Sequence, residues 1–203
     1  MKLYPPLKKA TEVWGIFHEL KDLRDFFKCI TQRFGERPEY YGGIGHNGLD
    51  FVCEEGTPII ASHDGEASYY EERDVDNNFI GYGKYVSIRD RENGFKTEYC
   101  HLSKVVKTGQ VKAGEVIGLA GNTGNSSGPH LHFTLKNPKA IDPLPFFVWF
   151  ENMKLSENQV LALQALEGYF DPEGAKYWSD RELEEYLKAR VKDKIKDLEK
   201  INL

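Results

Sequence analysis

Six histidines are spread over the 203 residues, and four of them stand in patterns that a shared chemical task would explain. His130 and His132 flank Leu131. On an extended strand, residues i and i+2 face the same way. The two imidazoles therefore sit side by side while Leu131 turns toward a core. His46 and Asp50 stand four residues apart in Gly45-His46-Asn47-Gly48-Leu49-Asp50-Phe51. That even spacing again places both groups on one face of an extended chain. Imidazole and carboxylate are both ligands that suit zinc. A catalytic zinc site keeps three protein ligands and leaves a fourth position for water. His46, Asp50 and one histidine of the His130/His132 pair supply that number. His101 closes the segment Glu98-Tyr99-Cys100-His101-Leu102-Ser103 and is the candidate to orient water or stabilise an oxyanion beside the metal. A lone histidine is more often a satisfied core or surface group. The weight lies in the co-occurrence of these pairs within one glycine-rich segment. His18 is expected as an exposed side chain of the N-terminal helix, His63 is expected to bind no metal, and Asp64 is expected to be a turn residue.

These groups need a scaffold that brings distant segments together. Between residues 41 and 137, short apolar runs alternate with glycine turns such as Asp64-Gly65, Asn93-Gly94 and Ala113-Gly114. Strands are expected at Leu49 to Cys53, Ile59 to Ser62, Glu66 to Glu71, Tyr85 to Arg89, Lys96 to His101, Glu115 to Ala120 and His130 to Leu135. Many short strands at this spacing predict an antiparallel sandwich or a partly open barrel. Before it, Val13, Ile16, Phe17, Leu20, Leu23, Phe27 and Ile30 recur at helical spacing, so a helix capped by Thr11 is expected over 11–30. After it, Asn137-Pro138, Asp142-Pro143 and Pro145 mark a connection. Helices are expected over 156–169 and from Ser179, where Glu182 completes a capping box. The fold class is thus α+β, with an antiparallel β core and peripheral N- and C-terminal helices. The domains are a segment 1–30 with an accessory helix, a catalytic unit 31–147 and a helical extension 148–203.

Composition narrows the partners. The net charge is -5 and no basic stripe is present, which argues against nucleic acid. The longest strongly apolar run, residues 143–150, falls short of the about 20 residues a membrane helix needs. Met1 to Pro6 lacks the apolar stretch of a secretory leader. Three cysteines, Cys29, Cys53 and Cys100, give an odd count without metal-type spacing and are expected as reduced, buried thiols. Cys100 beside His101 raises the reading of a thiol nucleophile. Adjacent residues of a regular strand point to opposite faces, which opposes it.

A longer set of motifs resembles a known family. In order, they are residues 45–51, Gly56-Thr57-Pro58-Ile59, Asp64-Gly65, Tyr99-Cys100-His101-Leu102-Ser103, residues 109–118, Gly121-Asn122-Thr123-Gly124 and Gly128-Pro129-His130-Leu131-His132-Phe133. Together they are similar to the lysostaphin-type (LytM-type) zinc endopeptidases over roughly residues 30 to 145. The resemblance implies an antiparallel, duplicated hybrid motif-like core with one zinc per chain held by His46, Asp50 and His132. It implies that His101 and His130 position and polarise the attacking water and stabilise the tetrahedral intermediate. The implied substrate is the peptide of peptidoglycan stems or cross-bridges. The expected setting is the cell wall, reached as a phage lysin-like protein or by an export route other than a leader. Two alternatives stay open. One is a non-catalytic wall-binding or amidase-activating module of the same fold. The other is a biotinyl or lipoyl carrier, suggested by residues 111–118, with Lys112 as its attachment point.

Overall fold

The computed structural model describes residues 1–7, 9–11, 17–19, 29–43 and 45–147. Thirteen short strands fall within them: β1 (Lys9–Thr11), β2 (Phe17–Glu19), β3 (Ile30–Gln32), β4 (Leu49–Val52), β5 (Pro58–Ile60), β6 (Gly65–Arg73), β7 (Phe79–Arg89), β8 (Lys96–Cys100), β9 (Lys104–Val105), β10 (Gly109–Val111), β11 (Val116–Leu119), β12 (His130–Lys136) and β13 (Ala140–Ile141). One 3-10 turn, Leu144–Phe146, is the only helical element among the described residues. The protein there is almost wholly antiparallel β structure.

The main sheet has eight strands in the order β10-β6-β7-β8-β12-β4-β3, with β13 added on β12. A second sheet of three strands runs β5-β11-β9, and β1 pairs with β2. Strand alternation divides the main sheet into two faces. On β12, Leu131, Phe133 and Leu135 are fully buried. Cross-strand register lines Phe133 up with Leu49 on one side and Tyr99 on the other, and Tyr99 with Val86. This row packs with Phe51, Ile59, Leu102 and Ile117 into one core. Tyr99 and Phe133 meet edge to face at 5.2 Å. The buried Tyr99 hydroxyl is satisfied by the Ser62 amide at 2.8 Å. Burying each such side chain contributes roughly 1.5–3 kcal/mol. The intervening residues of β12, β4 and β8 stand on the other face, which carries the site.

The expected helix over 11–30 is not what the described residues form. Phe17–Glu19 is a strand paired in antiparallel register with Lys9–Thr11, and Ile30–Gln32 is the edge strand against β4. Thr11, expected as a helix cap, ends β1. Short apolar runs do not distinguish a helix from a strand by periodicity, and the β-branched residues Thr11 and Ile30 favour the extended form. The expected helices over 156–169 and from Ser179 lie outside the described residues. The first residues also join the core. Leu3 and Leu7 are fully buried, and the Leu3 amide donates to the Phe146 carbonyl at 2.8 Å.

Candidate metal centre

Two adjacent strands build the base of the site. His132 on β12 is in register with Asp50 on β4 and with Cys100 on β8. The approach to β4 is not extended as spacing alone suggests. Gly48 passes so close to β12 that a Cβ there would stand 2.3 Å from the Phe133 carbonyl oxygen and 2.9 Å from the His132 ring. Gly45 is left-handed at φ 80° and packs on the Gly35 backbone. These two glycines turn the chain so that His46 swings over the sheet to meet His132 from above.

Three donor atoms converge there. His132 Nδ1 lies 2.7 Å from Asp50 Oδ1 and 2.9 Å from His46 Nε2. His46 Nε2 lies 3.1 Å from Asp50 Oδ1. A tetrahedral ion with zinc-like bonds holds its donors about 3.3 Å apart. The observed triangle needs to open by only a few tenths of an ångström. His46 Nδ1 is 3.0 Å from the Arg33 carbonyl oxygen. A carbonyl only accepts, so the proton sits on Nδ1 and the Nε2 lone pair points into the cluster. All three residues are buried, and their donor set can hold a divalent cation. Burial pushes the Asp50 carboxyl up, but the adjoining His132 and His46 rings outweigh it and hold the group well below the usual carboxylate range. Burial lowers the His132 pKa. Its Nε2 is buried and has no hydrogen-bond partner.

His101 and His130 stand beside this cluster. Their rings are 4.7 Å apart, and His101 is 5.8 Å from the His132 ring. His130 Nε2 is 3.8 Å from Asp50 Oδ1. Each ring is anchored through Nδ1 to a backbone carbonyl: His101 to Thr123 at 2.7 Å and His130 to Gly128 at 2.8 Å. Both Nε2 atoms thus remain available to the cavity. Burial drives the His101 pKa down to about 4, with His130 adding repulsion. His101 is therefore neutral at working pH.

The structure brings all five predicted residues together, but His101 arrives by a route that strand alternation does not predict. Cys100, in register with His132, takes the site-facing position. β8 ends there, and His101 adopts a left-handed backbone at φ 63°. That turn carries its ring back to the site face. The alternation argument against Cys100 as nucleophile therefore lapses at this point. Complete burial replaces it: desolvation pushes the thiol well above its ordinary range and disfavours the thiolate nucleophile. Cys29, Cys53 and Cys100 are all buried. His63 lies outside the cluster, with Nδ1 on the Asp64 carbonyl at 2.8 Å and Nε2 on Thr97 Oγ1 at 2.9 Å.

Sequence reasoning missed the groups that hold these rings. The Arg33, Thr123 and Gly128 carbonyls are backbone atoms without a residue signature. Tyr82, between Gly81 and Gly83, carries no motif that marks a role. Its ring lies 5.4 Å from His132, and Asn47 Nδ2 donates to its hydroxyl at 2.6 Å. The open cavity above the cluster measures about 460 Å³.

With this geometry in hand, comparison with known proteins is decisive. Residues 44–143 match peptidase family M23. The chain carries a domain of that family. Among its M23 relatives, the DD-carboxypeptidase/endopeptidase Mpg of Neisseria meningitidis is 41% identical over 119 residues, covering 57% of this chain and 26% of that protein. The glycyl-glycine endopeptidase ALE-1 of Staphylococcus capitis is 37% identical over 122 residues, covering 56% of this chain and 32% of that one. The solved structure of lysostaphin, the antimicrobial peptidase of Staphylococcus simulans, superposes with a TM-score of 0.50 at 32% identity, covering 63% of this chain and 52% of that one. The chain thus spans about a quarter to a third of the length of these two curated relatives.

Proposed function

We propose that the chain is a zinc-dependent endopeptidase that hydrolyses peptide bonds in peptidoglycan stems or cross-bridges. The observation that carries this is the convergence of His46 Nε2, Asp50 Oδ1 and His132 Nδ1 beneath a cavity faced by His101 and His130. His46, Asp50 and His132 hold one zinc. When bound, zinc supplies Lewis acidity, polarising the substrate carbonyl and acidifying water. His101 and His130 do the rest. His101, neutral and anchored at Nδ1, presents Nε2 as an acceptor for the proton of the attacking water. His130, its ring 4.7 Å from that of His101, steadies the tetrahedral oxyanion. Tyr82 and Asn47 brace the wall against which the peptide lies. The relatives' names, a DD-carboxypeptidase/endopeptidase and a glycyl-glycine endopeptidase, support wall peptide as the substrate.

In this reading residues 31–147 are the catalytic unit, closed as an antiparallel sandwich or partly open barrel. Residues 1–30 and 148–203 are accessory to its chemistry, with Leu3 and Leu7 of the first packed into the core. The test is mass spectrometry of the muropeptides released by zinc-loaded protein from walls of different cross-link chemistry. Chelator-sensitive release of peptide fragments is expected. Binding to walls with no released product, before and after chelation, would instead establish a non-catalytic module.

A further inference from the structure

Arg37 stands in the loop between β3 and β4 and lines the cavity above the metal centre. Its backbone is left-handed at φ 51°, a region uncommon for any residue but glycine. The loop is tied directly to a proposed ligand. The Gly35 amide donates to the His46 carbonyl at 2.7 Å, and the His46 amide donates to the Glu36 carbonyl at 2.8 Å. Arg37 is thus placed by reference to the metal centre, in a strained conformation that the surrounding bonds enforce. Such strain gathers where a side chain is held for use.

Its charge meets no acidic side chain among the described residues. The nearest acid in sequence, Glu36, accepts from the Arg33 amide at 3.0 Å. Among the described residues no carboxylate pairs with Arg37. Apart from the histidines, Arg37 and Asp50 are the only charged residues lining the cavity, and the Asp50 carboxylate faces the two histidine ligands. The other wall residues, such as Gln32, Asn47, Asn125 and Ser126, can hydrogen-bond a peptide backbone but cannot neutralise an acid. A permanent cation therefore overlooks the cleft in a protein whose net charge is -5.

Resting on the peptidase reading, we infer that Arg37 determines specificity by pairing with a free carboxylate of the substrate peptide, so that acidic peptides are preferred over their amidated forms. A planar guanidinium takes a carboxylate through two parallel hydrogen bonds, which a carboxamide cannot match.

The test uses two synthetic wall peptides of one sequence, with their carboxylates either free or converted to carboxamides. Both are offered to zinc-loaded wild-type and Arg37→Gln protein, with turnover and calorimetric binding measured in parallel. The wild type is expected to favour the acid about tenfold, carried by KM and by binding, with the preference shrinking as salt rises. In Arg37→Gln the acid-to-amide ratio is expected to fall to about one. Turnover of both peptides with equal ratios in the two proteins overturns the role of Arg37 and leaves the peptidase reading intact. A binding ratio that depends on Arg37 without any turnover sinks the peptidase reading and keeps the carboxylate contact.

Discussion

Two cavities of similar size open on this protein, one of about 460 Å³ above the metal centre and one of about 420 Å³ beside His63. Both are lined by histidine and aspartate, and volume does not tell them apart. Their hydrogen bonds do. His63 spends both ring nitrogens inside the fold, on the Asp64 carbonyl and on Thr97 Oγ1. Asp64 spends its carboxylate on the Ala113 amide at 2.9 Å and on Lys112 at 2.6 Å. At the metal centre, His46, His101 and His130 each anchor Nδ1 on a backbone carbonyl and keep Nε2 for a shared space. A histidine satisfied at both nitrogens is part of the architecture. A histidine tied at one nitrogen is aimed.

The sharpest way to break this contrast is at Asp50. Asp50→Asn is expected to lose zinc, read by elemental mass spectrometry, and to lose at least ~10³-fold in kcat/KM, because metal activation contributes several kcal/mol. Undiminished turnover without bound metal would end the case for the cluster as the reactive centre. Next comes His101→Gln, which should lower kcat by about 10²–10⁴-fold while zinc stays bound. Loss of the metal in that variant would move His101 into the ligand set.

The second cavity should respond in the opposite way. His63→Gln is expected to keep zinc and turnover but to lose about 1–3 kcal/mol of stability in urea titration, the cost of a disturbed buried hydrogen bond. The same pair of proteins tests the pKa. Burial holds His63 below its ordinary value of 6.5 in the folded protein. Above that value both folded and unfolded chains carry it neutral, and its full contribution is present. As pH falls, the unfolded chain takes the proton first, so the wild type loses stability. The gap between wild type and His63→Gln should therefore narrow below pH 6.5. A gap that stays constant into acid would show an unshifted imidazole. The smallest effect belongs to Lys112→Met. Its ion pair with Asp64 is exposed, so urea midpoint and turnover should hardly move. A marked loss in either would mean that the rim of the second cavity does more than decorate it.

Much of the β core was legible in residues 41–137 because each strand is announced locally, by alternating apolar positions and glycine turns. Seven expected strands overlap β4, β5, β6, β7, β8, β11 and β12. The two- and three-residue strands β9, β10 and β13 were not legible, since so few positions carry no period. The N-terminal helix misled at Phe17, because so short an apolar run suits either period, and Phe17–Glu19 pairs as a strand with Lys9–Thr11.

From the sequence alone came the chemical types, an imidazole and a carboxylate on a glycine-flanked approach among them, and one shared face: imidazoles two apart on a strand, with Leu131 opposite them in the core. Such statements follow from backbone periodicity, which is local. Only the tertiary structure decided which atoms meet. His132 reaches His46 across 86 positions and Asp50 across 82, a matter of register between strands distant in the chain. It also decided that His101 turns back through a left-handed backbone, and that Leu3 and Leu7 share a core with Phe147. Register, backbone handedness and long-range packing arise from the whole set of contacts at once, and no window of neighbouring residues contains them.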